Sequence, residues 1–207
     1  MTASHHGLDA AIVEEIAAAG RFAAERGWVP ATGGNFSRRI DARSIAITRS
    51  GAAKDRLTGR DIAIVALDEQ TPAGVSAETP LHVARYRRVP AIGAVLHVHS
   101  VPATVLSRLQ VEEGELALYG YEMHKSLAGF TTHESTLRIP VFANRQDTAA
   151  LAEEIERRLG DDTVVPGYLL SGHGLYAWGT NMADARRHLE GLEFLLECHL
   201  EERRLMR

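Results

Sequence analysis

Apolar residues recur three and four positions apart at Leu8, Ile12, Ile16 and Ala19, while Glu14, Glu15, Glu25 and Arg26 fall largely elsewhere. This spacing predicts an amphipathic helix over residues 8–26. Gly27 ends it and Pro30 reinforces the stop. The next stretch, Thr32-Gly33-Gly34-Asn35-Phe36-Ser37, holds too much glycine for a helix interior and reads as a loop. Short β-type runs follow at Ser44–Thr48 and Ile62–Leu67, separated by the polar turn Arg49–Lys54. Glu78-Thr79-Pro80 opens a helix over residues 78–88, where proline suits the first turn. Ala91 to His99 reads as a buried strand that turns polar at its end, and residues 101–108 as a short helix. Gly120 to Ser126 is ambiguous. A strand at Arg138–Phe142 precedes a helix capped by Asp147 and running to about Leu159. Two strands, Tyr168–Leu170 and Leu175–Trp178, flank a Gly-His-Gly turn. Asn181 then caps a long final helix with Leu189, Leu192, Leu195 and Leu196 as its apolar stripe. The alternation of helices and strands predicts an α/β fold with a central sheet covered by helices.

The 207 residues fit one domain at roughly 100–200 residues each. No repeat, low-complexity tract or linker divides them, and residues 1–7 read as a frayed terminus. With 23 basic and 27 acidic side chains the net charge is −4, which argues against nucleic acid as a partner. A small basic pocket for a phosphate stays compatible with that balance. No segment approaches the ~18 apolar residues of a membrane helix, and no secretory signal opens the chain. The single cysteine, Cys198, cannot pair internally. The expectation is therefore a cytoplasmic protein with no membrane association.

The ten histidines matter more for placement than for number. His97 and His99 lie two apart at the polar end of a strand, so both rings can face one ion. His173 sits between Gly172 and Gly174, where the backbone can turn tightly. Three imidazoles with an open position make a catalytic zinc site, whose free position polarises a substrate oxygen. Two surface histidines and an unrelated turn histidine fit the same spacing. Gly33-Gly34-Asn35, Ser50-Gly51 and the Lys54 ammonium offer donors and charge for an oxyanion, although neither loop matches a nucleotide-binding pattern. Glu78 and Glu122 stand in sparsely charged stretches. A carboxylate among apolar neighbours has a raised pKa suited to proton transfer, while a solvated surface carboxylate does not.

Several segments occur in a telling order: Gly33-Gly34-Asn35-Phe36-Ser37, Ser50-Gly51, Ser76-Ala77-Glu78-Thr79-Pro80, His97-Val98-His99-Ser100 and Gly172-His173-Gly174-Leu175. In this order they resemble the class II, zinc-dependent sugar-phosphate aldolase/epimerase family, from about residue 8 to about 203. Tyr121-Glu122-Met123-His124-Lys125 and Thr131-Thr132-His133-Glu134 resemble its dehydratase branch most. The resemblance implies a single domain with a central, mainly antiparallel sheet covered by helices on both faces. It implies a homotetramer with sites near subunit interfaces, and one Zn2+ per subunit on His97, His99 and His173. It places Asn35, Ser50, Gly51 and Ser76 at the phosphate of a small sugar-phosphate substrate, Lys54 being added on charge alone. It gives Glu122 the role of acid/base in dehydrating 5-methylthioribulose 1-phosphate, a step of methionine salvage. Glu78 matches the aldolase carboxylate, so cleavage of fuculose- or rhamnulose-type ketose phosphates is the alternative. The aldolases' C-terminal tyrosine has no counterpart here, since no tyrosine follows Tyr176. A second alternative is a non-catalytic zinc-binding interaction protein.

Overall fold

The computed structural model describes residues 8–160 and 164–206, so the expectation for residues 1–7 lies outside it. The chain enters on helix α1 (Ala10–Glu25), capped by the Asp9 carboxylate accepting from the Ala11 N–H at 2.9 Å. It continues through β1 (Asn35–Arg39), β2 (Ser44–Thr48), β3 (Ile62–Ala66), α2 (Thr79–Arg88), β4 (Ala94–Val98) and α3 (Val101–Gln110). The second half supplies β5 (Glu115–Leu118), β6 (Leu137–Phe142), α4 (Thr148–Leu159), β7 (Gly167–Leu170), β8 (Gly174–Gly179) and α5 (Met182–Leu205).

Among the described residues, eight strands form one sheet in the order β3-β2-β1-β4-β8-β7-β6-β5. Every neighbouring pair is antiparallel except β6 and β7, joined in parallel through Val141↔Leu169. Strand residues alternate between two apolar layers because successive side chains leave opposite faces. Ala94, Leu96 and Val98 of β4, with Leu175 and Ala177 of β8, pack with α1, α3 and α5. Val95, Tyr168, Leu170, Tyr176 and Trp178 pack with Leu81, Val83 and Tyr86 of α2 and Leu151 and Ile155 of α4. The fold is thus a single α/β domain with helices on both faces of a mainly antiparallel sheet.

The structure differs from the pattern reading in three places. Asn35–Arg39 is a strand, although the glycines before it predict a loop. Its residues are locked between β2 and β4, with Asn35 opposite His97. β5 is an additional strand, four residues long and too short for its alternation to register. The strand expected over Ala91–His99 is Ala94–Val98, so His99 lies just past its end. The ambiguous stretch becomes a 3-10 turn at Glu122–Ser126. Among the described residues no helix is long and apolar enough to cross a membrane.

Candidate metal centre

Antiparallel pairing brings the end of β4 beside the start of β8, so His97 and His99 meet His173, 76 and 74 positions later. The Nε2 atoms converge: His97 to His99 2.8 Å, His97 to His173 3.3 Å and His99 to His173 3.1 Å. Glu78, at the N-cap of α2, completes the group, with carboxylate oxygens 2.7 Å from His173 Nε2 and 3.4 Å from His97 Nε2. All four ligand atoms fall within 4.8 Å of one another.

This donor set fits a metal ion. Nδ1–H of the buried His97 ring donates to the Leu175 carbonyl at 3.0 Å, which leaves its Nε2 lone pair aimed at the centre. Burial holds the imidazoles of His97 and His99 below their ordinary pKa, so both stay neutral. Neutral imidazole nitrogens crowded together need a cation, and donors about 2.0–2.1 Å from a tetrahedral zinc lie about 3.3 Å apart. Three imidazoles and one carboxylate, with their ligand atoms within 4.8 Å of one another, could hold a metal ion. His97 is fully buried, whereas the side chains of Glu78 and His173 are 17% and 15% exposed, so the centre opens on their side.

The two glycines before β1 serve this centre by closeness. Gly34 has φ +77°, and a Cβ there would stand 2.4 Å from the His97 carbonyl oxygen. A Cβ on Gly33 would meet His99 Nδ1 at 3.0 Å. These glycines therefore let the chain pass directly behind the histidines.

The oxyanion candidates gather beside the centre. A bridge between Arg49 and Val75, and the Ser50 N–H donating to the Gly74 carbonyl, bring Ser50 and Gly51 to the segment carrying Ser76. Gly51 is exposed with φ +71° and open space where a Cβ would stand. Ser76 Oγ accepts from Asn35 Nδ2 at 3.1 Å and from the Glu78 N–H at 3.2 Å. Lys54 is buried rather than extended toward solvent. Its ammonium donates to the Thr32 carbonyl at 2.9 Å and the Ala52 carbonyl at 2.6 Å, tying the two loops together. Burial lowers its pKa against the opposing pull of Glu78. The Thr32 carbonyl belongs to a strained turn, since Ala31 and Thr32 have φ of 49° and 67°.

Glu122 stands elsewhere. β5 is antiparallel to β6, which runs parallel to β7 toward the cluster end of the sheet. β5 therefore leads away from that end, and Glu122 follows its far terminus. The carboxylate is exposed and pairs with Lys125 at 2.5 Å and His133 at 3.3 Å. The hydrogen bond from Lys125 lowers its pKa, against the opposing effect of desolvation. The raised pKa expected from its apolar sequence neighbours is absent, because those neighbours do not cover it.

With this geometry in hand, the match of residues 14–200 to the family described as class II aldolase and adducin N-terminal domain becomes decisive. The chain belongs to that class II aldolase family. Among its relatives, methylthioribulose-1-phosphate dehydratase of Stenotrophomonas maltophilia (strain R551-3) is 52% identical over 185 residues, covering 88% of this chain and 86% of the relative. The protein of the same name from Marinobacter nauticus is 50% identical over 201 residues, covering 96% and 97%. A solved class II aldolase structure, L-fuculose-1-phosphate aldolase from Thermus thermophilus, superposes with a TM-score of 0.77 at 27% identity, over 95% of this chain and 97% of that one.

Within this class II aldolase centre, pattern reading missed the layer behind Glu78. His82 is fully buried and bonded to Asn35 and Ser37, and Tyr176 stacks on His97 with ring centroids 4.0 Å apart. The signal was present: Glu78, His82 and Tyr86 are spaced four apart on one face of α2, and Asn35 and Ser37 two apart on β1.

Proposed function

We propose that the protein is a metal-dependent hydro-lyase that converts 5-methylthioribulose 1-phosphate to 2,3-diketo-5-methylthiopentyl 1-phosphate with loss of water. The observation that carries this reading is about 50% identity to dehydratases of that name over nearly the whole chain. His97, His99 and His173 would hold the ion, with the Glu78 carboxylate beside them on the open side. Zinc, when bound there, supplies a Lewis acid that polarises a substrate oxygen. Ser50, Gly51 and Ser76 receive the phosphate, and Asn35 orients Ser76 and Glu78. Lys54 acts from behind, holding both loops and adding positive charge.

Glu122 takes the proton from substrate C3 and returns it to the hydroxyl that leaves C4, and the resulting enol relaxes to the diketone. Because Glu122 lies off the far end of β5, it serves the centre of a neighbouring copy in a cytoplasmic homotetramer. Its low pKa keeps it ionised and ready to accept a proton near neutrality.

Mixed oligomers test this arrangement. Glu122→Gln and His99→Ala subunits, each inactive alone, regain activity when co-assembled if the carboxylate crosses between copies. Failure to regain it in verified mixed oligomers refutes the arrangement. The second reading, a ketose-phosphate aldolase, draws on Glu78 standing in the centre, and retro-aldol fragments from L-fuculose or L-rhamnulose 1-phosphate would select it.

A further inference from the structure

Behind Glu78 runs a hydrogen-bonded chain sealed from water. Tyr86 Oη lies 3.0 Å from Ser37 Oγ, Ser37 Oγ 2.7 Å from His82 Nδ1, and His82 Nε2 2.5 Å from Asn35 Oδ1. Asn35 Nδ2 then reaches Ser76 Oγ at 3.1 Å and the Glu78 carboxylate. Asn35, Ser37, His82 and Tyr86 are each 3% exposed or less. Water therefore cannot replace a lost partner, and each donor must match an acceptor.

Only one direction satisfies that rule. An ionised carboxylate only accepts, so Asn35 must present its NH2 to Glu78 and its carbonyl to His82. A carbonyl also only accepts, so His82 must carry its hydrogen on Nε2. Burial keeps His82 neutral at ordinary pH, so Nδ1 is bare and accepts from Ser37. Ser37 spends its one hydrogen on His82 Nδ1 at 2.7 Å rather than on the Val95 carbonyl 3.4 Å away, and Tyr86 donates to it. The opposite direction would turn the Asn35 carbonyl against the Glu78 carboxylate.

We propose that His82, held as the Nε2–H tautomer between the Asn35 carbonyl and the Ser37 hydroxyl, is a positioning residue that fixes the Asn35 amide and through it the Glu78 carboxylate at the metal centre. His82 itself touches neither the ion's ligand atoms nor the open side. Because Asn35 bonds Ser76 as well as Glu78, loss of His82 should act on turnover and on phosphate capture together. This inference rests on the proposed reaction for its kinetic consequence, but its tautomer is measurable without turnover.

The experiment uses the zinc-loaded, full-length protein labelled with 15N at histidine. Long-range 1H–15N correlation at neutral pH should show His82, assigned by its absence in His82→Gln, with a protonated Nε2 and a bare, hydrogen-bonded Nδ1. In parallel, His82→Leu should lower kcat about 10–100-fold, the usual range for a residue that supports a metal ligand, with zinc content little changed. His82→Gln, whose amide NH2 can still reach Asn35 Oδ1, should recover much of that loss. An Nδ1–H tautomer, or a His82→Leu enzyme with wild-type kcat, overturns the proposal. If His82→Leu does not fold, Ser37→Ala decides: the Asn35 carbonyl should keep the hydrogen on Nε2 while the Nδ1 resonance moves to that of a nitrogen that has lost its hydrogen-bond donor, and an unchanged Nδ1 resonance overturns the proposal. A wild-type protein that shows the Nε2–H tautomer yet leaves the ketose phosphate unchanged refutes the reaction and leaves the positioning chain standing.

Discussion

Replacing Glu193 by methionine should stabilise the protein by an amount that grows with pH. Glu193 lies on α5 facing the core, 1% exposed, and neither carboxylate oxygen has a hydrogen-bond partner. Burial, with Glu197 adding, pushes its pKa from 4.5 up to about 8, against the nearby Ser100 hydroxyl. Between pH 4.5 and 8 the folded protein keeps a proton that the unfolded chain has released. Stability therefore falls as pH rises through that window, by about 1.4 kcal/mol per unit. By pH 7.5 the accumulated loss is on the order of 4 kcal/mol. Methionine has similar length, carries no charge in either state and removes both unpaired oxygens. Urea unfolding of both proteins at equal metal loading measures the difference. The gap between variant and wild type should widen by on the order of 3 kcal/mol from pH 5 to pH 8. A gap that stays constant with pH would show that Glu193 does not hold its proton, and the reasoning would fail.

Other perturbations follow from the same contacts. Gly34→Ala sets a Cβ against the His97 carbonyl at a positive φ. It should destabilise by about 2 kcal/mol or more and reduce bound zinc, read by thermal melting and metal analysis. Lys54→Met strands the Thr32 and Ala52 carbonyls, and should cost about 2–3 kcal/mol in chemical denaturation. An unchanged denaturation midpoint would show that the tie is dispensable. His173→Ala should abolish stoichiometric zinc while leaving the far-ultraviolet dichroism native, since His173 lies in the turn between β7 and β8, outside the core strands. Full metal content in that variant would place the ion elsewhere.

Much of the fold was legible because its signals are local. The caps at Asp147 and Asn181 and the leucine stripe of α5 each depend on residues a turn apart, and all appear as read. β1 escaped because its strand character comes from pairing with β2 and β4, and its sequence, Asn-Phe-Ser-Arg-Arg, is polar. The histidine pair was legible through two-residue spacing. Its meeting with His173 depends on the register of β4 against β8, which no local pattern encodes. Lys54 illustrates the opposite limit: a lysine beside glycine-rich loops suggests a phosphate contact, yet its stem is buried and its ammonium faces backbone carbonyls. Glu122 was placed by its neighbours in sequence, but its surroundings are set by where β5 ends.

The central claim is the reaction itself, and one measurement addresses it most directly. Zinc-loaded protein is incubated with 5-methylthioribulose 1-phosphate and the product is analysed by mass spectrometry. The expected product is a species lighter by one water with the carbon skeleton intact, formed only when the metal is present. Cleavage into smaller carbon fragments, or an unchanged substrate with metal bound, would contradict it.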